Sequence, residues 1–252
     1  MSNVTDLDVY STYQLTKTVD DQFILVNTND EYIGNNILAT GQWEPHIRQT
    51  LKRLIREGDT VIDIGANIGT HTIYMSKLVG EKGNVIAFEP NENNHNSLFF
   101  SLLLNKCFNT KIYQYGVGEK KEVMYIEKRW KDTKVVNNFG AISLQASRKD
   151  EEDESIHIRP LDDPEFSFQT IRLIKIDAEG MEDKVINGMK NLLHTNKPYL
   201  IVEIHPNEVP GMIPLMQSVG YKMFQLGQSI DFIAFPVEKE NELKELFSRR
   251  TN

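Results

Sequence analysis

The chain has 252 residues, a formal net charge of −8, a pI near 5.3 and a single cysteine. That length suits one α/β domain with elaborations, and the acidic balance removes the electrostatic footprint expected of a nucleic-acid binder. Cys107 alone excludes an internal disulfide and fits a reducing, cytoplasmic setting. The densest apolar run, SLFFSLLL at 97–104, is too short to span a bilayer. The start, MSNVTDLDVYSTYQ, has neither the basic residues nor the apolar stretch of a signal peptide. The Asn3-Val4-Thr5 sequon is therefore read as accidental.

In chain order, residues 1–42 read as an N-terminal cap region, polar and turn-rich, with one strand in QFILVN (22–27). WEPHIRQTLKRLIREGD (43–59) carries Ile47, Leu51, Leu54 and Ile55 on one helical face and stops at Gly58. VIDIGANIG (61–69) then reads as a buried strand that breaks off into a glycine turn, with Asp63 the one acid in an apolar run. THTIYMSKLV (70–79), with Ile73, Met75, Leu78 and Val79, reads as the following helix. A helix start presents N–H groups and partial positive charge, so an anion is stabilised there. The spacing Gly65-x-x-x-Gly69 is not the G-x-G-x-x-G of a pyrophosphate cradle, and a carboxylate fits better.

NVIAFEP (84–90) is a second strand ending in an acid, and Glu89 follows Asp63 by 26 positions (89 − 63). That compares with the offset of ~20 residues at which nucleotide-binding sheets place an acid on the ribose hydroxyls, and an acceptor-only carboxylate suits a diol. The two acid-ended strands make half of a nucleoside site. Asn91 to Asn105 reads as a core helix and TKIYQYGVG (110–118) as the third strand. A polar insertion follows at 128–163; its KDEEDE run is a solvated face, and Trp130 and Phe139 either close over substrate or anchor the loop. IRLIKIDAEG (171–180) and KPYLIVEIHP (197–206) are the fourth and fifth strands, and YKMFQL (221–226) with IDFIAFP (230–236) forms a closing hairpin before a helical tail at 237–252. This alternation argues for a parallel sheet with helices on both faces and an antiparallel last strand.

Candidate chemistry gathers at the strand ends, where open α/β sheets bind ligands. Lys175 and Asp177 share a face by the period-two rule, with Glu179 just past the strand. A lysine between Ile174 and Ile176 needs a carboxylate partner or a substrate oxygen. Glu203 and His205 share a face on the fifth strand, and His205 is the best general base by chemistry, oriented by Asp177 or Glu203. His46, His71, His95, His157 and His194 show no metal-ligand spacing. No required metal is expected, Asp177, Glu179 and His205 being the one constellation able to hold one.

The motifs GQWEP, GDTVIDIGANIGTHT, VIAFEPN, IKIDAEGME, VEIHP and FIAFP, in that order over residues 41–236, are similar to those of FkbM-type methyltransferases, a branch of the class I S-adenosylmethionine-dependent enzymes. The resemblance implies a doubly wound, mostly parallel, seven-stranded Rossmann-like sheet in a methyltransferase domain over 43–236. It implies S-adenosylmethionine as cofactor, with Gly65, Ala66, Asn67 and Gly69 around the methionine moiety and its carboxylate at the helix start. Asp63 would support the turn or accept from the ammonium, Glu89 would bind the ribose diol, Pro90 and Asn91 would flank the adenine, and Glu44 would reach the amino-acid end. The third strand ends YGVGEK, without the acid many class I enzymes use for the adenine amine, so no adenine contact is assigned there. The expected reaction is O-methylation of a saccharide or other small-molecule hydroxyl. The alternatives are N-directed or peptide-directed methylation, for which an acidic lining attracts a cationic amine, and a non-catalytic S-adenosylmethionine-binding module. The missing G-x-G-x-x-G disfavours a nicotinamide dehydrogenase.

Overall fold

The computed structural model describes residues 12–248 apart from 131, 133 and 169. The first part of the cap region with the Asn3 sequon, and the end of the tail from 249 on, lie outside the described residues. In chain order, β1 (Tyr13–Lys17) and β2 (Phe23–Asn27) form a separate antiparallel hairpin, followed by α1 (Ile33–Thr40) and α2 (Pro45–Leu54). The main alternation is β3 (Thr60–Ile64), α3 (Thr70–Val79), β4 (Asn84–Phe88), α4 (Glu92–Leu104) and β5 (Thr110–Tyr113). A small three-stranded sheet follows, made of β6 (Gly116–Val117), β7 (Glu122–Ile126) and β8 (Glu154–Arg159). The chain then returns through β9 (Ile171–Ile176), α5 (Glu182–Asn187), α6 (Lys190–Asn196), β10 (Tyr199–Glu203), α7 (Val209–Ser218), β11 (Tyr221–Gln225), β12 (Asp231–Pro236) and α8 (Glu240–Ser248).

The large sheet has seven strands in the order β11-β12-β10-β9-β3-β4-β5. Pairings from β10 to β5 are parallel, and β12 runs antiparallel to both β10 and β11. This is the doubly wound, mostly parallel architecture expected from the alternation. Period-two alternation sorts the side chains into two cores. Ile62, Ile64, Ile174, Ile176, Leu200 and Val202 pack on the side of α5, α6 and α7. Val61, Leu173, Ile201 and Ile233 pack on the side of α2, α3 and α8. Asp63 and Lys175 sit opposite one another across β3 and β9.

Four local expectations change. Residues 110–118 are not one strand: β5 stays in the large sheet, and Gly116 crosses to β8, where a Cβ would lie 2.4 Å from Ile158 Cδ1. Glycine there lets the second sheet close up. The helix begun at Pro45 ends at Leu54, with Ile55 already extended and buried, so Gly58 sits in the turn beyond rather than at the cap. The helix over SLFFSLLL is half exposed rather than core: Leu98 and Leu102 are buried, whereas Phe99, Phe100, Leu103 and Leu104 are exposed. Its buried face is completed by Ser101, whose hydroxyl accepts from Leu25 N–H of β2 at 3.1 Å. The 128–163 insertion contributes β8 to regular structure and buries Phe139 against Trp130, ring centroids 6.4 Å apart.

Candidate active site

The glycine turn is built against its neighbours. At Gly65 (φ +74°) a Cβ would lie 1.8 Å from the Asp177 carbonyl oxygen, so glycine lets the ends of β3 and β9 approach. Gly69 (φ +95°) caps α3, and a Cβ there would meet Leu98 at 2.7 Å. The turn's amides are spent internally. Gly65 and Ala66 N–H both donate to the Phe88 carbonyl, Asn67 N–H to Glu89, Ile68 N–H to the Asn67 side chain and Gly69 N–H to Ala66. No side chain caps α3, so its first-turn N–H groups, which lack intrahelical acceptors, are left to other partners.

Glu89 is 5% exposed and accepts from Asn67 N–H at 2.8 Å and from Asn91 N–H at 2.9 Å, one bond to each oxygen. Burial outweighs these bonds and pushes its carboxyl up to about 7. Asn91 caps α4 by accepting from Asn94 N–H at 3.0 Å, while its own side-chain amide nitrogen is buried without a partner. These residues, with Pro90, line a cleft enclosing about 610 Å³, part of it open to solvent, which Phe88, Tyr115, Ile142 and Leu144 line as well. Phe139 closes one side, its carbonyl accepting from Asn94 Nδ2 at 3.1 Å.

A second cleft shares Gly65, Asn67, Gly140, Asp177 and Glu179 with the first and is strongly acidic. Lys175 lines it, 4% exposed, its Nζ 3.1 Å from Asp177 Oδ2. Burial works against that charge, but Asp177, Asp63 and Glu44 outweigh it, and the ammonium titrates above an ordinary lysine. Lys175 is therefore a fixed cation and not a base. Asp63 is fully buried, accepts from the Thr72 hydroxyl at 2.6 Å, and keeps its other oxygen without a hydrogen-bond partner. Burial raises the Asp63 carboxyl; Lys175 opposes that rise.

Glu44 enters from the residue before α2, in a left-handed conformation (φ 42°), and meets His71 Nε2 at 2.8 Å. Burial alone would raise its carboxyl, but His71, then Lys175 and His46, hold it down to about 2. Glu203 pairs in register with Asp231 across β10 and β12, and His46 Nε2 lies 2.6 Å from Asp231 Oδ2. Burial and the neighbouring Asp177 raise Glu203 well above the carboxylate range. Burial and Asp177 also raise Glu179, to about 8. His205 lies past the end of β10 and is exposed, lining the cleft mouth.

The structure thus brings the sequence candidates to one rim. Glu89, Pro90 and Asn91 line the first cleft; Glu44, Asp63, Ala66, Lys175 and His205 line the second; Gly65, Asn67, Asp177 and Glu179 belong to both, while Gly69 stands behind the turn. Sequence reasoning passed over His71, His46 and Asp231. The one available signal was position: His71 is the second residue of α3, directly after the glycine turn, and Asp231 opens β12. Among the described residues, the closest trio of potential donors is Glu44, Glu203 and Asp231, with oxygens within 4.8 Å of one another, rather than Asp177, Glu179 and His205. Two of those three carboxylates already hold an imidazole.

Comparison with known proteins places this architecture among methyltransferases. A crystal structure of methyltransferase FkbM from Methylobacillus flagellatus KT superposes with a TM-score of 0.51 at 16% identity, covering 79% of this chain and 52% of that one. That likeness concerns the fold, and the chain spans about half the length of that protein. A family model, the methyltransferase FkbM domain, matches residues 63–223, well over half of the chain. The chain belongs to the FkbM methyltransferase family. Among curated relatives, the hexuronic acid methyltransferase AglP of Haloferax volcanii is 27% identical over 198 residues, 75% of either chain. Methyltransferase sdnD of Sordaria araneosa is 27% identical over 155 residues, 51% of this chain and 60% of that protein. Among the described residues no helix is long and apolar enough to cross a membrane.

Proposed function

We propose that the chain is an S-adenosylmethionine-dependent O-methyltransferase acting on a hydroxyl of a saccharide or another small molecule. The observation that carries this reading is the junction of the two clefts at Gly65, Asn67, Asp177 and Glu179, a largely apolar pocket with one buried acid, Glu89, running into a polar, acidic one. The donor set fits the cofactor. Glu89 keeps acceptor capacity on both oxygens beyond its two amide bonds, the buried Asn91 amide lacks an acceptor, and Asp63 retains one oxygen for a cationic group. Phe88, Tyr115 and Ile142 supply an apolar wall for a base.

When bound, the cofactor supplies an electrophilic methyl group on a sulfonium. The protein's part is to hold the acceptor oxygen in line with it, to exclude water and to take the hydroxyl proton. Asp177, tied to Lys175, and Glu179, in its left-handed turn (φ 49°), stand where the clefts meet. His205 at the rim and Glu203 beside it are the candidates for the proton. The hexuronic acid relative supports a saccharide acceptor. The acidic lining supports a second reading, N-methylation of a cationic amine. A cytoplasmic setting remains the reading of the single cysteine.

The test incubates the protein with labelled S-adenosylmethionine and a panel of neutral sugars, hexuronic acids, amino sugars and peptides. A sugar gaining one CH2 as an alkali-stable ether supports O-methylation; label on nitrogen only supports the second reading; no transfer to any member, with cofactor bound, reduces the chain to a binding module. With an acceptor in hand, His205→Ala is expected to lower kcat by ~10²–10⁴ with cofactor affinity unchanged. Near-normal turnover would move the proton acceptor to Glu203, Asp177 or Glu179.

A further inference from the structure

A ligand carboxylate at the start of α3 needs donors, and the donors nearby are largely spent. All five amides of the turn from Gly65 to Gly69 are engaged inside the protein, and Lys175 is held by Asp177 with Asp63 opposite it in register. Acceptors are in surplus beside α3: Glu44, Asp63 and Asp177 line the same cleft. A zwitterionic amino-acid end would find its ammonium well served and its carboxylate left with the first-turn N–H groups of α3 and the Thr70 hydroxyl.

His71 alters that count. It lies in the first turn of α3, is 5% exposed, and lines the acidic cleft. Its Nε2 is 2.8 Å from Glu44 Oε2, and its Nδ1 is buried without a hydrogen-bond partner. An orphaned buried polar atom costs free energy unless a ligand satisfies it. With Nε2–H given to Glu44, a bare Nδ1 would add one more acceptor to the surplus, whereas a protonated Nδ1 is the missing donor, its charge balanced by Glu44. We propose that His71, as an imidazolium paired with Glu44, binds the carboxylate of the cofactor's amino-acid end through Nδ1–H. This rests on the cofactor reading above. The charged groups that bear on His71 are Glu44 before α2 and Asp63 on β3, with Lys175 on β9 and His46 on α2 acting through Glu44.

Calorimetry with two probes tests it: S-adenosylhomocysteine and its decarboxylated analogue, which keeps the amine and the nucleoside. The wild-type protein is expected to prefer the carboxylated ligand by about 10- to 100-fold, the worth of a charge-assisted hydrogen bond. His71→Asn should cut that preference by about 10-fold or more by weakening S-adenosylhomocysteine alone. Glu44→Gln should also shrink the preference, beyond any loss at the ammonium that both ligands share. In the wild-type protein, which needs no variant to fold, the preference should shrink from acid to alkaline pH, since only the protonated ring donates from both nitrogens. Proton release at Glu89 on ribose binding is common to both ligands and cancels in the comparison. Equal loss of both ligands in His71→Asn, a pH-independent preference, or unchanged S-adenosylhomocysteine affinity with a fallen kcat overturns the assignment. If the wild-type protein binds both probes equally, His71 alone is misassigned; if it binds neither, the cofactor reading falls first.

Discussion

Two residues at the site have roles decided by what surrounds them. Gly65 looks in the sequence like room for a ligand, yet its α-hydrogens face the Asp177 carbonyl at a distance no Cβ tolerates. Gly65→Ala is therefore expected to cost the apo-protein at least ~2 kcal/mol through left-handed strain and steric contact. Thermal melting without cofactor checks this; an unchanged Tm would return the glycine's purpose to the ligand. Glu89 has a double role, holding Asn67 and Asn91 amides while facing the first cleft. Glu89→Ala should weaken S-adenosylmethionine binding by roughly 2–3 kcal/mol and also lower Tm, because two buried amides lose their acceptor. Calorimetry giving wild-type affinity would remove Glu89 from the site. His71 marks the limit of reading at this scale, because a histidine's partner across a fold leaves no local trace.

At the scale of elements, the site depends on the ends of β3, β9 and β10 coming level. Parallel pairing puts Asp63 opposite Lys175 and Ile201 beside Lys175, so one lysine serves carboxylates from two strands. Lys175→Met would leave Asp63 and Asp177 facing one another with no cation, at a cost of ~3–5 kcal/mol, the scale of breaking a buried pair from one side. The sign of its pH dependence follows from the carboxyls. Without the cation the Asp63 carboxyl, which burial already raises and Lys175 holds back, rises further, so the variant's deficit is small below about pH 4, grows as pH rises from there and levels off above the folded pKa. Chemical denaturation of both proteins at pH 5 and pH 8 measures it, and an equal deficit at both would place Lys175 outside the carboxylates' field. The strands of the large sheet and the α3 and α4 spans were legible because apolar periodicity is local, whereas β1 and the strands of the small sheet were not read. The departure of Gly116 to a second sheet was not, since it is a pairing with Ile158, distant in sequence.

Over the whole molecule, α4 turns Phe99, Phe100, Leu103 and Leu104 outward while Leu98 and Leu102 face the core. Phe100→Glu with Leu104→Glu should leave unfolding free energy within ~0.5–1 kcal/mol of wild type, as exposed substitutions do; a larger loss in urea titration would mean the face is covered. The apolar run SLFFSLLL carries no mark of which half is outward, because composition alone does not orient a helix that is apolar all round. By itself the sequence determined the doubly wound sheet, the strand–glycine–helix unit and the placing of Asp63, Glu89, Lys175 and Asp177 at strand ends, since each follows from short-range periodicity and motif spacing. Tertiary structure alone decided that three of the turn's amides are consumed by Phe88 and Glu89, that Glu44 meets His71, and that Asp231 and His46 join Glu203. Those pairings join residues up to 185 positions apart, and nothing but the packing of strands and helices brings them within hydrogen-bond reach.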